Sequence, residues 1–131
     1  MTQPQPLVRR FPAHADQIAG IRNEFAAYGQ EHGVADPASL RLAISEAVTN
    51  AVLHAYVDAP APGEIEVVAE RHPDDGFEVR VCDDGRGMKP RPDSPGLGVG
   101  LPLVATLAEH FAIEAKAGGG TRLRMTFAVT A

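Results

Sequence analysis

The stretch Ser45-Glu46-Ala47-Val48-Thr49-Asn50-Ala51-Val52-Leu53-His54 decides how this chain is read. At about 100° per residue, Leu40, Ile44, Ala47, Val48, Ala51 and Ala55 fall on one side, the predicted core face of a helix. Glu46 and Asn50 are four residues apart and project together, roughly opposite Ile44 and Ala55, with His54 one turn further on. A carboxylate, an amide and an imidazole therefore line one ridge. The residues alone leave two readings open: an ordinary solvated face, or a ridge in which Asn50 offers a neutral oxygen to a hard cation and Glu46 handles a proton. Leu42 and Leu53 fall on the same side, so the ridge is expected to be partly shielded from water.

Working outward, Asp36-Pro37 predicts the start of this helix, because a carboxylate caps free N–H groups and proline is tolerated at the first helical position. The helix is expected to reach about Tyr56. Ahead of it lie a short strand over 7–11 and a helix from 15 to about 32, with Ile18, Ile21, Phe25 and Tyr28 at helical spacing and Gly29 and Gly33 weakening its end. After it, Ala59-Pro60-Ala61-Pro62-Gly63 is a loop, and 64–71 and 77–82 read as a hairpin around Asp74-Asp75-Gly76. Residues 83–98 read as a loop, 99–110 as a helix with Pro102 in its first turn, and 111–116 and 122–129 as strands joined at Gly118-Gly119-Gly120. The order β, α, α, β, β, α, β, β predicts an α+β two-layer sandwich with the helices on one face of the sheet.

The chain has 131 residues, with 44% apolar, 22% charged and 5% aromatic residues and no tryptophan. That is one soluble domain, expected over 1–131, with a core of Ala, Val and Leu. Seventeen acidic against twelve basic residues give a net charge of −5 and no basic run, which argues against nucleic acid as a partner. A small nucleotide held by Mg²⁺ and backbone N–H groups remains compatible with it. No stretch is long and apolar enough to span a bilayer, and the lone Cys82 cannot form an internal disulfide, so no membrane association and a cytoplasmic location are expected. The five histidines show no metal-ligand spacing, and only His54 is given a possible supporting role.

Three further local signals follow the helix. Asp83-Asp84-Gly85-Arg86-Gly87 stands at a strand end, where a carboxylate can accept from an exocyclic amine and glycines let a planar base approach the backbone; a polar turn is the plain alternative. Gly96-Leu97-Gly98-Val99-Gly100-Leu101 leads into a helix, offering unpaired N–H groups to phosphate or forming only a tight turn. It lacks the spacing and context of a dinucleotide-binding fingerprint and the ending of a Walker loop. Between these two signals, residues 88–95 carry prolines at 90, 92 and 95 and are either a short lid, with Lys89 or Arg91 reaching an anion, or a plain connection. Last, Gly118-Gly119-Gly120-Thr121 permits a tight hairpin, and the Thr121 hydroxyl could bond to a base or a bridging water.

Each signal alone is weak, but their order and spacing across about 80 residues are not. Together they resemble the N, G1, G2 and G3 boxes of the GHKL ATPase superfamily, whose Bergerat fold has a mixed, mostly antiparallel sheet with three helices on one face. The run from Ser45 to Ala51, followed by His54-Ala55-Tyr56, looks like the stand-alone anti-sigma factor serine/threonine kinases, which also carry an arginine on the first helix, here Arg22. Only 45 residues precede Glu46 and the chain stops at Ala131, so a stand-alone kinase is expected rather than a sensor histidine kinase, gyrase, mismatch-repair or chaperone member.

The resemblance implies that Asp83 binds the adenine amine, that Gly85 and Gly87 shape the base pocket and that Thr121 supports the base. It implies Mg²⁺ on Asn50, the triphosphate of ATP against Gly96, Gly98 and Gly100, and Glu46 as general base or positioning group for a serine or threonine hydroxyl. Phosphoryl transfer needs this kind of charge neutralisation and in-line positioning. The expected function is an ATP-dependent kinase and anti-sigma factor in a partner-switching circuit. It phosphorylates a STAS-type antagonist, alternatively sequesters a sigma factor, and forms a homodimer, to which the exposed-looking strand 7–11 lends slight support. The competing functions are a non-catalytic module whose nucleotide state sets partner affinity, and a small domain that binds no nucleotide.

Overall fold

The computed structural model describes residues 5–56, 63–74, 76–85, 100–117 and 119–130. Strand β1 (Leu7–Pro12) leads through a single 3-10 turn, Ala15–Gln17, into helix α1 (Ile18–Glu31). Helix α2 (Pro37–His54), the hairpin of β2 (Glu64–His72) and β3 (Gly76–Asp83), helix α3 (Gly100–Leu107), and strands β4 (His110–Ala115) and β5 (Thr121–Phe127) complete the fold. The five strands form one sheet in the order β1-β2-β3-β5-β4, and every pairing among them is antiparallel. The sequence allowed for a mixed sheet; no parallel pair occurs among the described strands.

Helix boundaries follow the local chemistry. The Asp36 carboxylate accepts from the Ser39 backbone N–H at 3.1 Å and from the Ser39 hydroxyl at 2.7 Å, and Pro37 opens α2. α1 ends in a Schellman arrangement: Gly33 takes φ +86°, its N–H donates to Gln30 O, and the Val34 N–H donates to Gly29 O at 3.0 Å. Gly33 thus stops α1. Gly29 instead lies inside the helix, where a Cβ would come within 2.2 Å of Leu40 Cδ2, so its lack of a side chain lets α1 and α2 pack closely.

The core lies between the sheet and the three helices. Leu40, Ile44, Ala47, Val48, Ala51 and Ala55 are all buried, as the α2 periodicity predicted. They meet Ile21 and Phe25 of α1, Leu101 and Val104 of α3, and the inward residues Ile65, Val67, Phe77, Val79, Val81, Leu123, Met125 and Phe127 of the sheet. Pro102 lies in the first turn of α3, where its missing N–H has no intrahelical partner to lose. No described helix is long and apolar enough to cross a membrane.

Candidate functional site

The inward face of the central strands is built in rungs. Phe77 pairs with Phe127, Val79 with Met125, Val81 with Leu123, and last Asp83 with Thr121. Three apolar rungs are followed by a polar one. Asp83 is 1% exposed and Thr121 2%, although a buried carboxylate and hydroxyl are costly unless bonded. The Asp83 carboxylate accepts the Gly85 N–H at 2.9 Å, which curls the chain back over the strand end.

Glycines close the space around this rung. A Cβ on Gly85 would lie 2.1 Å from the Ala55 carbonyl oxygen, so the turn after β3 rests on the C-terminal end of α2. A Cβ on Gly120 would lie 2.0 Å from the Asp83 carbonyl oxygen, and Gly120 has φ +90°, which side-chain-bearing residues rarely adopt. The β4–β5 hairpin and α2 are therefore both in contact with the Asp83 turn. Gly100 opens α3, and α3 packs against α2. Gly87, Gly96 and Gly98, with the expected lid residues Lys89 and Arg91, lie outside the described residues.

Along α2 the ridge divides. Asn50 is buried at 5% exposure and its Nδ2 has no hydrogen-bond partner among the described residues, whereas Glu46 and His54 are half-buried. Glu46 makes no ion pair or hydrogen bond among the described residues. Leu42 and Leu53, expected to be shielded, are instead the two exposed large apolar residues of the helix, at 42% and 57%. The reason is angular: Asn50 lies about 40° round from Glu46 toward buried Ala43 and Ala47, while Leu42 and Leu53 lie on the other side of Glu46, facing outward. Arg22 is half-buried on α1, near the Asn23 side chain.

Two residues to which the sequence assigned no role also reach the turn. The Tyr56 hydroxyl accepts the Asp84 N–H at 3.0 Å, and Lys116 Nζ pairs with Asp84 Oδ1 at 2.6 Å. That pairing pulls the Asp84 carboxyl below its ordinary range and raises the Lys116 ammonium. Neither contact joins neighbours in sequence, so only the tertiary fold exposes them.

The outer sheet face carries a different cluster. His72 Nε2 lies 3.6 Å from Glu70 and 3.4 Å from Glu78, but the Arg80 guanidinium bonds to both carboxylates, and Arg124 Nε lies 4.0 Å from Glu78. This is an ion-pair network. A cleft of about 590 Å³ lies at the far end of β3 and β5, lined by Gly76, Glu78, His110, Phe111, Arg124 and Thr126, well away from the polar rung.

The geometry can be set beside known proteins. The chain is 33% identical over 121 aligned residues to the serine-protein kinase RsbW of Bacillus mycoides, covering 79% of this chain and 74% of that one. It is 31% identical over 97 residues to the anti-sigma F factor of Clostridium acetobutylicum, covering 66% of each. Among solved structures it resembles the RsbU and RsbW domains of a Mycobacterium tuberculosis protein with a TM-score of 0.73 and 26% identity, across 98% of this chain and 33% of that longer one. Residues 11–127 match the histidine kinase-like ATPase domain. The chain belongs to the histidine kinase-like ATPase domain family.

Proposed function

We propose that this chain is an ATP-dependent serine/threonine protein kinase that also acts as an anti-sigma factor. The observation that carries the reading is the buried Asp83–Thr121 rung, enclosed by Gly85 against α2 and Gly120 against β3. An adenine suits such a place: its exocyclic amine satisfies a buried carboxylate, and its flat ring fits between glycine-lined backbones. Relatives bearing the names serine-protein kinase and anti-sigma F factor support the same conclusion.

The residues present also fit the rest of the ligand. Asn50 is a buried amide whose Nδ2 meets no acceptor among the described residues, a donor that a bound phosphate oxygen would complete, and its neutral carbonyl oxygen suits a hard cation. Asn50 would hold Mg²⁺ through that oxygen, and the ion would supply charge neutralisation for the phosphates of ATP. Gly100 opens α3, whose N-terminal end would suit the triphosphate, and the base-pocket and phosphate-loop roles implied for Gly87, Gly96 and Gly98 fall outside the described residues. Glu46, half-buried and without a partner among the described residues, one turn before Asn50, accepts the proton of the incoming serine or threonine hydroxyl or orients it. His54 stands one turn beyond Asn50 in a supporting position.

The phosphoacceptor is a serine or threonine of a small STAS-type antagonist, the sequestered target is a sigma factor, and the chain works in the cytoplasm as a homodimer. The free edge strand β1, exposed along most of its length, is compatible with self-association. The test is transfer of label from [γ-³²P]ATP to a STAS-type antagonist together with calorimetric titration of ADP and Mg²⁺. Transfer with nucleotide binding establishes the kinase. Nucleotide binding without transfer to any antagonist reduces the protein to a nucleotide-gated binding module.

A further inference from the structure

The turn Asp83-Asp84-Gly85 is held from two sides by residues to which the nucleotide reading gives no part. From just past the end of α2, the Tyr56 hydroxyl accepts the Asp84 N–H at 3.0 Å and donates to the Glu64 carbonyl at 2.7 Å. Its ring is wedged between glycines: a Cβ on Gly63 would lie 2.5 Å from it, and one on Gly85 2.8 Å. One side chain thus joins the end of α2, the start of β2 and the turn after β3.

From the other side, Lys116 Nζ donates to the Asp83 carbonyl at 3.2 Å and pairs with Asp84 Oδ1 at 2.6 Å. Lys116 is itself fixed in the β4–β5 hairpin, its backbone N–H donating to Gly120 O at 3.1 Å and its carbonyl accepting from the Gly119 N–H at 3.1 Å. The hairpin that delivers Thr121 therefore also grips the chain that carries Asp83.

Folding stability is a weak reason for this arrangement. The Asp84 side chain is 64% exposed, and water screens exposed ion pairs until they contribute little. What the contacts do fix is the path of the backbone on both sides of the Asp83 side chain. A carboxylate that must meet one particular donor gains from having its direction set in advance, because the ordering cost is met on folding and not on binding.

We propose that Tyr56 and Lys116 are positioning residues for base recognition, clamping the Asp83-Asp84-Gly85 turn from two sides so that the buried Asp83 carboxylate is pre-set for the exocyclic amine of adenine. The clamp rests on the nucleotide reading of Asp83. It acts through Asp83 and does not require either residue to touch the nucleotide.

The experiment compares ADP with inosine diphosphate, which carries a carbonyl oxygen where adenine has its amine. Dissociation constants for both are measured by calorimetry with Mg²⁺ on the wild type, Tyr56→Phe, Lys116→Met and Asp83→Ala, with melting curves of each protein free of nucleotide. The wild type is expected to favour ADP by at least about tenfold, since the inosine oxygen faces a buried acceptor. Tyr56→Phe keeps the ring and removes only the hydroxyl, and it is expected to narrow that preference roughly fivefold, with Lys116→Met narrowing it by a smaller factor. A merely structural role lowers the melting temperature or weakens both nucleotides by one common factor, leaving the preference unchanged in both variants, and that result overturns the clamp. If Tyr56→Phe does not fold, the preference measured on Lys116→Met decides in the same way. Asp83→Ala separates the two levels. Loss of the preference there with full preference in both clamp variants sinks the clamp alone, whereas an unchanged preference in Asp83→Ala sinks the base reading and the clamp with it.

Discussion

Asp83 and Thr121 face each other across the last rung of the β3–β5 ladder, both almost wholly buried, at the end of three rungs made only of apolar side chains. A sheet that lines its core with Phe, Val, Leu and Met and then ends on a carboxylate beside a hydroxyl has stopped building core, and the proposed function makes that rung part of the nucleotide site. Thr121→Val keeps the β-branched shape that suits the strand and removes the hydroxyl. The protein is expected to fold normally and to bind ADP about three- to tenfold more weakly, the worth of one hydrogen bond. Calorimetry gives the answer, and wild-type affinity in this variant would take Thr121 out of the site.

Under the proposed function, Glu46 separates catalysis from binding. It is half-buried and engages no described partner, so its removal disturbs little packing. Glu46→Gln is expected to retain ADP binding within about threefold and to lose about 10²- to 10⁴-fold in phosphoryl transfer, the usual worth of a positioned general base. Single-turnover labelling of the antagonist reads the rate. Transfer at the wild-type rate would make this carboxylate a bystander.

Leu40 tests the contact between the first two helices. It is fully buried, and its Cδ2 occupies the space that Gly29 leaves open on α1. Leu40→Ala is expected to cost about 2–5 kcal/mol, through lost burial and the cavity left behind. Gly29→Ala forces a methyl into the same space and is expected to destabilise by about 1–3 kcal/mol. Denaturant titration measures both, and a neutral Leu40→Ala would contradict the packing described.

Asp36 gives α2 a pH-dependent start. Side-chain and backbone hydrogen bonds from Ser39 hold its carboxyl below the ordinary value of 3.8. The folded state therefore has the lower pKa, so the cap's contribution is fully present above the unfolded value and is lost as pH falls through the folded one. Asp36→Ala should lower the melting temperature at pH 7, and its difference from the wild type should shrink steadily below about pH 4. A difference that stays constant down to pH 3 would mean that the charged cap contributes nothing.

Much of this molecule is legible in its sequence because periodicity and punctuation are local. The α2 core face, the Asp36-Pro37 start and the Gly76 turn depend on residues a few positions apart, and each was placed correctly. What lay beyond reach was tertiary. Leu42 and Leu53 share a side with Glu46, but which part of a helix is covered depends on its neighbours, and the fold covers Asn50's flank and not theirs. Tyr56 belongs to the His54-Ala55-Tyr56 run but no contact of it is written there, Lys116 carries no motif, and their common partner Asp84 is 28 residues from one and 32 from the other. Gly29 looked like a helix breaker because the chain does not say that Leu40 packs against it.

Adjacent glycines in the β4–β5 hairpin allow a sharper test of what closes the site. Gly119 and Gly120 both have positive φ, at +111° and +90°, so alanine strains the backbone at either position by about 1–3 kcal/mol. They differ in surroundings. A Cβ on Gly119 meets nothing within 4 Å, whereas one on Gly120 meets the Asp83 carbonyl oxygen at 2.0 Å and the Asp84 Cα at 2.8 Å. Those are backbone atoms, which no side-chain rotation can move aside. Gly119→Ala is therefore expected to lower the melting temperature yet keep the upward shift that saturating ADP produces, since that shift depends only on affinity. Gly120→Ala must push the hairpin away from the Asp83 turn, separating Thr121 from Asp83, and is expected to abolish the ADP-induced shift. Melting curves with and without ADP distinguish the two, and equal ADP shifts in both variants would mean that the contact between the hairpin and Asp83 has no part in holding the nucleotide.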